Sequence, residues 1–132
     1  MKKLQFIIGL LLLSVSVHAQ DESLTAEAKP LAPLMSLEAD AHDFGQIKQG
    51  EPVTATFKFV NTGALPLIIT NAKGSCGCTV PSYTKEPIAP NATGEIMATY
   101  NAANKGVFTK TVTVTTNEGQ SRILRIKGEV IE

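Results

Sequence analysis

The sequence predicts an all-β domain, an immunoglobulin-like β-sandwich of about seven strands carried behind an export leader. Three observations predict it. Apolar and polar residues alternate at period two through most of the chain, turn-forming clusters separate these runs, and the N-terminus is briefly basic and then apolar. Period two sends successive side chains to opposite faces of a strand, so each run has one face to bury and one to hydrate.

The leader comes first. Lys2 and Lys3 precede a nearly apolar run from Leu4 to Val17, and Val17-His18-Ala19 fits a small-residue cleavage site. Residues 1–19 are therefore expected to be a signal peptide, with Gln20 as the first mature residue and a periplasmic or secreted destination. The run is shorter than the roughly 20 residues of a spanning helix, so no membrane insertion is expected after cleavage. Residues 20–36 read as a flexible tether, because Asp21-Glu22-Ser23 is polar and Pro30 and Pro33 interrupt any helix. The sandwich is expected over residues 37–132.

Within that domain Val53, Ala55, Phe57 and Phe59 alternate with Thr54, Thr56 and Lys58. Ile96, Ala98 and Tyr100 repeat the pattern against Glu95, Met97 and Thr99. Phe108, Val112 and Val114 face away from Thr109, Thr111, Thr113 and Thr115, with Lys110 standing in the apolar row. Leu124, Ile126 and Val130 close the chain. Turn chemistry falls between the runs at Gln49-Gly50, Asn61-Thr62-Gly63, Asn91-Ala92-Thr93-Gly94, Asn104-Lys105-Gly106 and Asn117-Glu118-Gly119. About seven short strands in a domain near 100 residues fits a sandwich. There is no Trp, so the core falls to Phe44, Phe57, Phe59, Ile69, Tyr100 and Phe108.

Charge narrows the partners. Loss of Lys2 and Lys3 leaves ten basic residues against twelve acidic ones, a mature charge of about −2. Nucleic-acid binding needs a basic footprint, so no nucleic acid is expected. No catalytic constellation stands out either. His42 is the one histidine beyond the leader and has no nucleophile at a recognised spacing; Asp40, Asp43, Glu86 and Glu95 make no defensible carboxylate pair.

Three linked stretches carry a resemblance. Asp43-Phe44-Gly45-Gln46-Ile47 is followed by Phe57-Lys58-Phe59-Val60-Asn61-Thr62-Gly63, and then by Ser75-Cys76-Gly77-Cys78-Thr79-Val80-Pro81. With Pro87-Ile88-Ala89-Pro90, Gly94 and the run from Gly106 to Val114, they resemble a bacterial exported family catalogued as domain of unknown function 1573. The resemblance implies an immunoglobulin-like fold similar to major sperm protein and cilium-associated domains, and an exported location. It implies no activity. Asn91 stands where that family usually has glycine, and Asn tolerates the left-handed conformation such a turn requires.

Cys76 and Cys78 are the only cysteines and the candidate redox or metal pair. In a flat strand residues two apart have Cα atoms about 6.5–7 Å apart, whereas a disulfide prefers about 5.5–6 Å. A bridge therefore needs a bulge or turn, which Gly74 and Gly77 permit. As thiolates the pair offers two soft ligands to Cu(I), the alternative to having no cofactor. Thiol exchange is a second possibility, although the spacing differs from Cys-x-x-Cys at a helix start. A third is a tight bend in which only small side chains fit. The reading reached from sequence is an exported, non-enzymatic binding or assembly module with a protein partner. The alternative is a periplasmic thiol-redox or Cu(I)-handling protein using Cys76 and Cys78. Ser75, Gly77, Thr79, Asn61, Gly63, Gly94 and Gly106 are expected to shape the turns.

Overall fold

Burial follows the period-two pattern strand by strand. The computed structural model describes residues 32–132; the expected signal peptide and the tether up to residue 31 lie outside the described residues. The strands are β1 (Met35–Leu37), β2 (Ala41–Lys48), β3 (Val53–Asn61), β4 (Ile69–Gly74), β5 (Thr79–Tyr83), β6 (Thr93–Tyr100), β7 (Gly106–Thr116) and β8 (Ser121–Ile131). They form two four-stranded sheets, ordered β1-β3-β6-β5 and β2-β8-β7-β4. The architecture is the expected immunoglobulin-like sandwich. No helix among the described residues is long and apolar enough to cross a membrane.

The sandwich has eight strands, where about seven were expected, and the first of them starts two residues ahead of Leu37. Met35–Leu37 pairs antiparallel with Phe59–Asn61, and Met35 is only 4% exposed. Three residues are too few for alternation to show as a period, so β1 was indistinguishable from tether.

The core lies between the sheets. Phe57, Phe59, Ile96 and Ala98 meet Val112, Val114, Leu124 and Ile126 across it, all buried. Each side chain of Val, Ile, Leu or Phe size contributes about 1.5–3 kcal/mol on burial. Tyr100 stacks on Phe108 with ring centroids 4.1 Å apart, which ties the first sheet to the second. Phe44 packs against the rim of this cluster and is half-buried. Thr109 and Thr113 face water, as the alternation required.

One buried polar side chain organises an end of the sandwich. Asn61 is fully buried. Its Oδ1 accepts from the backbone nitrogens of Leu34 at 3.2 Å and Gly63 at 3.0 Å. Its Nδ2 donates to the carbonyls of Leu65 at 2.8 Å and Ile88 at 2.9 Å. All four bonds replace ones the amide would make with water, so burial carries no unmet polar group. Gly63 lies beneath the incoming chain, where a Cβ would collide with the Ala32 carbonyl and the Leu34 nitrogen. Gly94 plays the matching part in the core, where a Cβ would press on Phe59 and Ile88. Asn91 adopts φ 65°, and its backbone nitrogen donates to the Asn61 carbonyl at 2.7 Å.

Asn61→Ala strands the Leu34 and Gly63 nitrogens and the Leu65 carbonyl at once, while the Ile88 carbonyl keeps its bond from the Leu67 nitrogen. We expect it to lower the unfolding free energy by about 3 kcal/mol, measured by denaturant titration. Asn61→Asp should cost at least as much, since it replaces two donors with an acceptor facing two carbonyls.

Candidate functional site

The strand order places two edges on each side of the sandwich: β1 with β2 on one side, β4 with β5 on the other. An unpaired edge offers backbone donors and acceptors to any extended chain, and natural proteins usually blunt it. Three of the four edges here carry such a device. On β1 the outward backbone nitrogen of Met35 donates to Glu118 Oε2 at 2.9 Å. Arg122 bonds the Met35 carbonyl at 3.5 Å and pairs with Glu118 at 3.1 Å. The charged pair thus occupies the hydrogen-bonding positions of a missing strand.

On β2 the register shifts between Asp43 and Gln46. The bulge is fixed by Gly45 at φ 66° and by Asp43 Oδ1 accepting from the Gly45 nitrogen at 2.8 Å. On β5 the bond from the Asn101 nitrogen to the Cys78 carbonyl, 3.0 Å, and that from the Thr84 nitrogen to the Glu95 carbonyl, 3.0 Å, set the parity. Even-numbered residues there face β6 and odd-numbered ones face out. The outward position therefore includes Pro81, which has no donor.

The β4 edge differs. The Ser75 nitrogen donates to the Thr111 carbonyl at 2.8 Å, so residues 71, 73 and 75 face β7 while Ala72 and Gly74 turn their backbone groups outward. A register shift lies at Ile69/Asn71, leaving residues 71–74 as a regular, proline-free run. Its one blunting element is exposed Lys73.

The cysteine turn joins this edge to β5. Cys76 and Cys78 form a disulfide with Cα atoms 5.2 Å apart, closer than a flat strand allows. Gly74 makes the bend possible, because a Cβ there would overlap the Thr79 carbonyl. The steric need does not extend to Gly77, which is exposed and would meet nothing within 4 Å. The steric demand thus falls on Gly74, just ahead of the Ser75–Thr79 segment in which larger side chains were expected to clash, and within that segment Gly77 has open space.

Backbone bonds frame the turn without the sulfurs. Ser75 pairs with Thr111 through its nitrogen and its Oγ, the Thr79 nitrogen donates to the Cys76 carbonyl at 3.2 Å, and Asn101 holds Cys78. The two cysteines are half-buried and not alike: Cys78 packs against the core. Thr79, itself buried, places its Oγ1 3.7 Å from Cys76 Sγ.

As a disulfide the pair presents no thiolate, so only its reduced form offers Cu(I) two soft ligands. The described residues hold no group of three or more His, Cys, Asp or Glu able to bind a metal ion. His42 is exposed and sets its ring edge-on to Phe44, centroids 4.6 Å apart. Asp43 pairs with Lys127 at 3.9 Å. Neither approaches the cysteine turn in sequence or sheet position. Gly106 opens β7 at φ 113°, a turn role remote from the pair. The Glu118–Arg122 clamp escaped sequence reading, since Asn117-Glu118-Gly119 carries the composition of an ordinary solvated turn.

A family model described as a protein of unknown function, DUF1573, matches residues 35–130. No curated protein matches the sequence. Among solved structures, the chain is similar to a protein of unknown function from Porphyromonas gingivalis W83, with 19% identity and a TM-score of 0.66. That likeness covers 80% of this chain and 51% of the other, so the chain spans about half the length of that protein. It is also similar to an ASH/PapD-like domain of human CEP192, with 11% identity, a TM-score of 0.62 and coverage of 100% and 97%. An MSP-domain protein like family member of Caenorhabditis elegans, SSP-19, aligns at 13% identity and a TM-score of 0.51, covering 71% and 98%. Likenesses at these identities establish the fold.

A disulfide spanning three residues removes little freedom from the unfolded chain, about 1.6 kcal/mol by loop entropy. We expect the Cys76→Ser/Cys78→Ser double variant to lose no more than this in denaturant titration and to retain its β-sheet circular dichroism.

Proposed function

The chain belongs to the DUF1573 family, and from that premise we propose that it is an exported module that binds another protein through its β4 edge. The observation that carries this reading is the contrast among edges. β1 is capped by Glu118 and Arg122, β2 is bulged, and β5 presents Pro81 outward, while Ala72 and Gly74 on β4 keep outward backbone groups. A segment added there would gain main-chain hydrogen bonds from the sheet, and side chains reading its alternate residues would supply selectivity. Asn71 and Lys73, both exposed on the same strand, stand where they would meet such side chains.

Export remains part of the proposal, resting on the basic and apolar start of the sequence. A soluble partner in the periplasm or at the cell surface fits the weakly acidic mature charge.

A photo-crosslinking side chain at Lys73, introduced into the full chain in its native cell envelope, tests the edge. We expect a discrete protein adduct at least about tenfold stronger than from Lys58, on the outer face of the other sheet. Ala72→Pro, which removes an outward donor, should abolish the adduct while the domain stays folded. Equal labelling at Lys73 and Lys58, or labelling insensitive to proline, would overturn the reading.

A further inference from the structure

The cysteine turn lies outside the β4 hydrogen-bonding positions just described. We propose that Cys76–Cys78 is a thiol–disulfide exchange site for exposed cysteines of other polypeptides, with Cys76 as the attacking and attacked sulfur and Cys78 as the resolving one.

Four observations point the same way. The bridge closes a ring of only three residues, so it constrains the unfolded chain weakly and makes a poor staple. The turn is held by backbone bonds of Ser75, Thr79 and Asn101, none of which passes through sulfur, so the frame survives reduction. Gly77, between the cysteines, is exposed with open space above it, which leaves room for an incoming peptide. Finally, the sulfurs differ: Cys78 packs on the core, while Cys76 lies within 3.7 Å of the Thr79 hydroxyl. With no S–H on a disulfide, Thr79 is the donor, and the same hydroxyl can donate to a Cys76 thiolate. Hydrogen bonding to the charged form favours it, and the thiolate is the reactive species.

The exchange balances as follows. A thiolate of a substrate dithiol attacks Cys76 Sγ, forming a substrate–Cys76 disulfide. The Cys76–Cys78 bond breaks, and Cys78 leaves as a thiolate. The second substrate thiolate attacks the substrate sulfur of the mixed disulfide and expels Cys76, which Thr79 receives with its hydrogen bond. Two electrons pass from the substrate dithiol to the cysteine pair, and the two protons given up by the substrate reach Cys76 and Cys78 through water. A second polypeptide disulfide, attacked by Cys76 in the reverse sense, takes the electrons back. The pair thereby moves disulfides between polypeptides with no further oxidant.

The test uses the mature chain and a synthetic two-cysteine peptide, with acid quenching and intact mass as the readout. The oxidised protein should gain two hydrogens as the reduced peptide loses two, with its β-sheet circular dichroism unchanged. Given the oxidised peptide, reduced Cys78→Ser should accumulate a mixed disulfide at Cys76 about tenfold more than Cys76→Ser does at Cys78. In the Cys78→Ser background, Thr79→Val, a substitution close in volume, should slow alkylation of Cys76 near neutral pH by about fivefold. Circular dichroism on each variant separates loss of exchange from loss of fold. Equal trapping by both single variants would overturn the assignment of roles. A bridge that opens only at denaturant concentrations that unfold the domain would overturn the site altogether. Failure of the Lys73 crosslink would leave this result untouched, because no step uses the β4 edge.

Discussion

The Asn61 side chain is the constraint on which one end of this sandwich depends. Its four bonds reach β1 through Leu34, the turn through Gly63, the following loop through Leu65, and the segment before β6 through Ile88. Backbone bonds join the same segments, from the Thr62 nitrogen to the Leu34 carbonyl at 2.9 Å and from the Asn61 nitrogen to the Ala92 carbonyl at 3.0 Å. Leu67 and Ile88 form an isolated bridge, with bonds of 2.9 and 2.8 Å, but no ladder extends it. A hydrophobic residue at position 61 would fill the space and leave the Leu34 and Gly63 amides and the Leu65 carbonyl unmet. In a low-dielectric interior an unmet polar group costs more than a typical hydrogen bond contributes. The amide is therefore more than a turn residue: it fixes where the first strand lies, and so where the first sheet ends.

Edge protection is distributed in the same economical way. The Glu118 carboxylate comes from the β7–β8 turn of the second sheet, yet it caps β1 of the first. The contact joins the two sheets at their rim while denying β1 to another chain. β2 and β5 reach the same result locally, by a bulge and by a proline. A fold that closes three edges in three ways and leaves one regular differs from one that simply has ends. The cysteine turn sits where the open edge crosses to the opposite sheet, so one side of the molecule gathers both features with chemical potential.

Much of this was legible in the sequence. The alternation around Phe57 and Phe59, around Ile96 and Ala98, and along Leu124 and Ile126 identified the buried rows, because a half-buried strand has one side-chain period and these residues keep it. Asn91 was read as a left-handed turn residue and is one. What escaped depends on contacts distant in sequence. Met35 joins the core because β3 lies beside it, and Glu118 is buried because Arg122 and Met35 meet it; neither partner is local to the pattern. Ala102 takes φ 52°, a conformation more often filled by Gly or Asn, and its carbonyl accepts from the Gly50 nitrogen at 2.9 Å. Nothing in Asn101-Ala102-Ala103 announces that. At the cysteines closure of the bridge turned on the backbone approach at Gly74, which spacing alone does not give.

The pairing of β2 with β8 has a mechanical consequence. These strands run parallel, with Ala41 beside Arg125 and Lys48 beside Ile131. A pull on the chain ahead of β2 and beyond β8 draws the two strands lengthwise past each other, because the loaded ends lie at opposite ends of the pair. The hydrogen bonds between them then bear the load together instead of opening in sequence like a zipper. β1, with three residues, is the first element such tension would peel away, and the remainder would resist as a unit.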